Sequence, residues 1–222
     1  MNVRSHAVRL SLVVLLITGI AAWPHAVRAA AVGIQFGADG AGIDGDAPPN
    51  TSYTSRMGWV AGIQGEFALT RDLSLSLQPS FVQKRSGLQI AASSSGGSTT
   101  QLDLSFDYVT VPLVAKFAMA RGRTYVSGGV SIDFLSSATL AGLGSDRDVT
   151  SAYGSTVFGA VLGFGVVIPT GRTHLTTELR VVQGISNMTT GQVAEDVGAL
   201  APRLHSHGLE LIVGDLFPVG KR

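Results

Sequence analysis

Eight ionisable side chains stand out because each lies in a stretch whose apolar residues alternate with polar ones: Glu66, Lys84, Asp107, Lys116, Asp133, Glu178, Arg180 and Glu210. Asp103 belongs with them by the same alternation. Carboxylates and cations brought together in a dry place can do two things. They can pair and hold a structure, or they can form a narrow path for ions or protons. Other candidate motifs are weaker. His205-Ser206-His207 places Ser206 opposite its neighbours if the chain is extended, whereas nucleophile and base must share a face. The same two histidines could contribute to a metal site only with a third ligand. Asp39, Asp44, Gly45 and Asp46 lie in a turn-rich stretch whose spacing misses the calcium-loop pattern. Gly165 to Thr173 has one residue too many for a phosphate loop and Arg172 in place of the lysine. Gly163 and Gly165 precede no helix, so they make no dinucleotide fingerprint and read as a lumen-facing strand pair. No catalytic set, cofactor site or metal site is expected.

The elements that carry these residues have a period of two. From Trp59, the side chains Ala61, Ile63, Phe67 and Leu69 alternate with Gly62, Gln64, Glu66 and Ala68. After Thr70-Arg71-Asp72 the pattern resumes, with Leu73, Leu75, Leu77 and Phe81 against Ser74, Ser76, Gln78, Ser80 and Lys84. That is a hairpin of two strands, each with one apolar and one polar face. Similar runs cover 31–38, 102–118, 124–136, 155–168, 173–186 and 207–219, for eight strands. The connections alternate between short polar turns and long loops at 39–57, 86–101, 137–153 and 187–206. Hairpin loops normally have about 2–5 residues, so the long ones need an explanation.

An up-and-down meander supplies it. All long loops then lie at one end, and the short turns and both termini at the other. This is the layout of an all-β, eight-stranded antiparallel transmembrane barrel with short periplasmic turns and four long extracellular loops. A closed barrel leaves no unpaired edge, which lipid requires. Residues 1–29 read as a cleaved signal peptide: Arg4 and Arg9, an apolar run from Leu10 to Ala22, then Val27-Arg28-Ala29. The barrel domain is then 30–222. The formal charge of +1 falls to about −2 once Arg4, Arg9 and Arg28 leave with the leader. With no basic patch, nucleic acid is not an expected partner. With no cysteine, there is no disulfide framework and the sheet itself must supply stability.

The fourth strand departs from simple alternation. Leu102, Leu104, Phe106 and Tyr108 share one parity, while Val109, Val111, Leu113, Ala115 and Phe117 share the other. A switch of the lipid-facing parity at Tyr108-Val109 predicts a β-bulge or a membrane boundary there, with Asp103 and Asp107, which come before the switch, facing the lumen.

Asp107 to Phe117 (DYVTVPLVAKF) resembles the central motif of the outer membrane protein β-barrel family. Leu77-Gln78-Pro79 precedes it, Tyr125 to Gly129 follows it, and Glu178 and Arg180 complete the order. The resemblance implies an eight-stranded outer-membrane barrel, exported through its signal peptide, but no single activity. It implies outer-membrane lipid and the barrel assembly machinery as partners. Such barrels end on an aromatic residue; here Phe217 is followed by Pro218-Val219-Gly220-Lys221-Arg222. The expected function is a non-enzymatic, monomeric barrel with a lumen filled by its charge network, in a structural or interaction role. A small passive channel and a lipid-modifying enzyme are the alternatives.

Overall fold

The computed structural model describes residues 30–45, 51–90, 100–142, 145–186 and 204–219. Ten strands appear in it: β1 (Ala30–Gly45), β2 (Thr51–Ala68), β3 (Leu73–Leu77), β4 (Ser80–Ile90), β5 (Thr100–Met119), β6 (Thr124–Gly142), β7 (Ser145–Asp148), β8 (Thr156–Thr170), β9 (Thr173–Gly184) and β10 (Leu204–Val219). β3 and β4 are two halves of one barrel strand, both lying between β2 and β5. β7 is a short strand that pairs only with the upper end of β6. The remaining pairings run β5–β6–β8–β9–β10–β1–β2, all antiparallel, and close the sheet on itself. The eight-stranded ring is therefore closed among the described residues, and the expected signal segment 1–29 lies outside them.

The chain forms these strands because alternate side chains meet different solvents. Val32, Ile34 and Phe36 of β1, Phe158, Leu162 and Phe164 of β8, and Leu209, Leu211 and Val213 of β10 all point outward and are exposed. Leu162 keeps 69% of its surface exposed, which would be costly in water but suits a hydrocarbon surround. Their neighbours Gln35, Val161, Glu210 and Ile212 are buried inside. Pro79 separates β3 from β4 without breaking the ladder: its carbonyl accepts Ile63 N–H at 3.0 Å, and Gln78 N–H reaches the Pro112 carbonyl at 3.0 Å.

Several expected boundaries move. The first strand continues from Ala38 to Gly45, the second starts at Thr51 instead of Trp59, the fifth runs on to Gly142, and the last starts at Leu204. Much of what reads as loop is thus strand that projects past the lipid. Polar strands outside the bilayer need no apolar face, so their sequence lacks the alternation that reveals a membrane strand.

The expected parity switch on β5 is also corrected. Leu104, Phe106, Tyr108, Thr110, Pro112, Val114 and Lys116 are all buried, so one parity faces inward along the whole strand. What changes at Tyr108 is the surroundings. Below it the outer face meets lipid with Leu113 and Phe117; above it the outer face carries Asp103, Ser105 and Asp107. A register shift does occur between Asp107 and Tyr108, but the extra residue is Ser136 on β6.

Candidate functional site

The interior is the only place where the described chain concentrates buried charge. Its centre is Arg180 on β9, only 2% exposed. Its Nη2 donates to Gln78 Oε1 at 2.8 Å. β9 and the β3–β4 strand stand four strands apart in either direction around the ring. This hydrogen bond therefore crosses the full width of the barrel. Arg180 Nε also lies 3.5 Å from Glu178 Oε1 and 3.7 Å from Glu210 Oε2. The planar guanidinium suits this role, because it presents several donors in a fixed fork.

Glu178 is held from the other side by Tyr125 Oη at 2.8 Å and Ser127 Oγ at 2.9 Å. β8 makes room for this cluster with two glycines. Gly163 and Gly165 pair with Arg180 and Glu178 on one side, and with Ser127 and Tyr125 on the other. A Cβ on Gly165 would run into the Tyr125 ring. Below the cluster, Lys116 Nζ sits 5.0 Å from the centre of the Tyr125 ring and 2.9 Å from Glu66 Oε2, while Ser74 Oγ donates to Glu66 Oε1 at 2.8 Å. Above it, Lys84 Nζ lies 3.7 Å from Asp133 Oδ2 and 5.4 Å from the centre of the Tyr108 ring. Gln35 Nε2 donates to Ser80 Oγ at 2.7 Å nearby.

The interior is nearly full. The cavity beside Arg180, Lys84, Asp133 and Glu210 measures about 10 Å³, about the space of one water. Towards the turns lies a separate vestibule of about 320 Å³, walled by Glu66, Lys116, Tyr125, His174 and Thr176. An eight-stranded barrel is just wide enough for its own side chains.

The loop end of the interior is built differently. Leu104, Phe106, Tyr108, Leu135, Ala138 and Val157 form an apolar cluster there, joined by Val149 and Tyr153 from the β6–β8 connection. Tyr153 stands edge-on to Phe106, with ring centres 4.8 Å apart at 89°. Thr150 Oγ1 accepts Ala138 N–H at 2.8 Å and ties that connection down. Hydrogen bonding from Thr150 holds the exposed Asp148 carboxyl below the usual carboxylate range.

Of the eight expected lumen residues, Glu66, Lys84, Lys116, Asp133, Glu178, Arg180 and Glu210 face inward. Asp107 is the correction. It lies on the outer parity of β5 and accepts hydrogen bonds from Gln83 at 3.2 Å and Ser137 at 2.8 Å. Asp103 lies beside it and pairs with Arg56 at 2.8 Å. The reason is the polarity inversion just described: above the lipid, the polar face is the outer one.

Sequence reasoning missed Asp39, which is fully buried and lies opposite Glu210 across the β1–β10 pair. The signal was present, since Asp39 extends the inward parity of Gln35. Gln78 was missed because a neutral amide carries no charge signal. His205, Ser206 and His207 lie within β10, not in a loop, with Ser206 buried between its half-buried neighbours. Asp39 likewise lies in a strand, not in a solvated loop, and Asp46 is outside the described residues. Gly165 to Thr173 spans β8 and a turn in which Gly171 adopts φ 73°. Among the described residues, no cluster of three or more His, Asp or Glu could hold a metal ion.

Solved structures are similar to this chain at low identity. The outer membrane protein AlkL, solved in lipid bilayers, is 13% identical with a TM-score of 0.50, covering 90% of this chain and 94% of AlkL. OprG from Pseudomonas aeruginosa is 9% identical with a TM-score of 0.47, covering 89% of this chain and 98% of its own. Ail, the attachment invasion locus protein of Yersinia pestis, is 12% identical with a TM-score of 0.43, covering 85% and 98%. No curated protein sequence matches. The family profile described as "Outer membrane protein beta-barrel domain" matches residues 21–190. With that match over most of its length and this fold, the chain belongs to the outer membrane protein β-barrel domain family, a protein of the bacterial outer membrane.

Proposed function

We propose that this protein is a non-enzymatic, monomeric barrel with a closed lumen, which serves the envelope through what it displays at its loop end. The observation that carries this reading is the Arg180–Gln78 hydrogen bond across the barrel, beside a cavity of only about 10 Å³. A conducting pore needs a continuous file of water, and here side chains from opposite walls touch. The apolar cluster under the loops blocks the same path a second time. A lipid-modifying enzyme needs a nucleophile and a base on one face, and Ser206 alternates with His205 and His207. Export follows from cleavage after Ala29. Recognition by the assembly machinery then falls to Phe217, the last aromatic residue of β10, which faces outward.

Planar-bilayer recording tests the closed lumen: the wild-type protein should show no steady, sizeable unit conductance. Such a conductance would establish the passive channel instead. A mass shift of lipid A on expression would establish the enzyme.

A further inference from the structure

The three short turns of the barrel share one feature that the lumen does not explain. Each carries arginine: Arg71 between β2 and β3, Arg121 and Arg123 between β5 and β6, and Arg172 between β8 and β9. All four are exposed, and none has an ion-pair partner among the described residues. Asp72 is the only acidic residue in these turns. At the loop end the described charges lean the other way, with Asp103, Asp107, Asp146 and Asp148 against Arg56, Arg85 and Arg147.

The turn arginines sit at a defined depth. Leu69, Phe117 and Ile168 are the last large exposed apolar side chains before each turn; Arg71, Arg121 and Arg172 follow them two to four residues later, and Arg123 stands three residues before the exposed Val126 on the far side of its turn. At roughly 3.3 Å per residue along a tilted strand, that places the guanidinium groups at headgroup level. They are also spread around the rim, not gathered on one side, so they fit a partner that surrounds the barrel. One of them is kept at a cost. Arg121 has φ 60°, and Ala120 before it has φ 48°, a left-handed region that residues with a Cβ adopt reluctantly. The β8–β9 turn instead places Gly171 in that region and its arginine after it.

We propose that this arginine rim binds the phosphates of anionic phospholipid in the periplasmic leaflet and fixes the barrel's height and orientation there. Guanidinium forks match phosphate oxygens, and stems of this length reach the interface along apolar surface.

The test is boundary-lipid selectivity, read with spin-labelled lipids on the folded barrel in mixed vesicles. Each basic side chain near an anionic surface is worth roughly a fivefold preference before screening, so the wild type should favour phosphatidylglycerol over phosphatidylcholine by about threefold or more at low salt. Replacing Arg71, Arg121, Arg123 and Arg172 with Gln should abolish that preference, while Arg85→Gln with Arg147→Gln at the loop end should leave it. Arg121→Gly separates lipid binding from turn structure: it should weaken the preference and stabilise the fold. A wild type without preference, or a fourfold variant that keeps it, would overturn the proposal. The first of these would direct attention to an acidic periplasmic protein as the partner of the rim.

Discussion

The two halves of the barrel interior solve the same problem with different chemistry. At the level of the lipid the lumen is filled by Arg180, Glu178, Glu210, Lys84 and Asp133, each needing a partner of opposite charge or a hydrogen bond. At the loop end it is filled by Phe106, Tyr108, Leu135 and Val157, which need only contact. The outer surface does the reverse, apolar beside lipid and polar above it. The membrane thus sets both faces of each strand: within it the apolar side must look out, and beyond it the apolar side can turn in. β5 carries the whole inversion along one unbroken parity.

Mutations at the two levels should therefore fail differently. Arg180→Ala removes the cation between Glu178 and Glu210 and leaves carboxylates uncompensated. Breaking a fully buried pair costs about 3–5 kcal/mol, so this variant should show the largest loss in urea unfolding from lipid vesicles. The outer face at mid-membrane comes next: Leu162→Arg should cost about 2–4 kcal/mol. An equal cost for a polar substitution at the inward Ser80 would contradict the division of faces.

Gly165→Ala should be intermediate. The added methyl meets the Tyr125 ring, and overpacking of this kind costs about 1–3 kcal/mol. Because Tyr125 Oη holds Glu178, the variant should also perturb tyrosine fluorescence more than its stability loss alone implies. Asp107→Asn should be the mildest, within about 0.5 kcal/mol, as for a partly exposed site outside the lumen. A loss as large as that of Arg180→Ala would put Asp107 back inside.

The eight strands, the alternation of long and short connections and most of the lumen charges were legible because lipid enforces strict alternation. Leu73 to Leu77 against Ser74 and Ser76 would suit a soluble sheet as well; the recurrence of that pattern along the chain is what pointed to a barrel. Asp107 was misplaced because the same rule was carried past the edge of the lipid, where Phe106 faces in and Asp107 out. Asp39 was missed because Gly37, Gly40 and Gly42 around it show no apolar face. Gln78, the acceptor that spans the barrel, was invisible for another reason: which opposite wall a side chain reaches depends on closure of the sheet, and no spacing along one strand encodes that.

The most direct test of the closed lumen is a double-mutant cycle on the Arg180–Gln78 contact, with Arg180→Met, Gln78→Leu and their combination unfolded reversibly in vesicles. Two strands that never pair can couple only through the lumen. A hydrogen bond to a buried charge is worth about 1.5–3 kcal/mol, so a coupling energy of at least about 1 kcal/mol is expected. Additive losses within about 0.3 kcal/mol would mean that the two walls do not touch, and the closed lumen would fall with them.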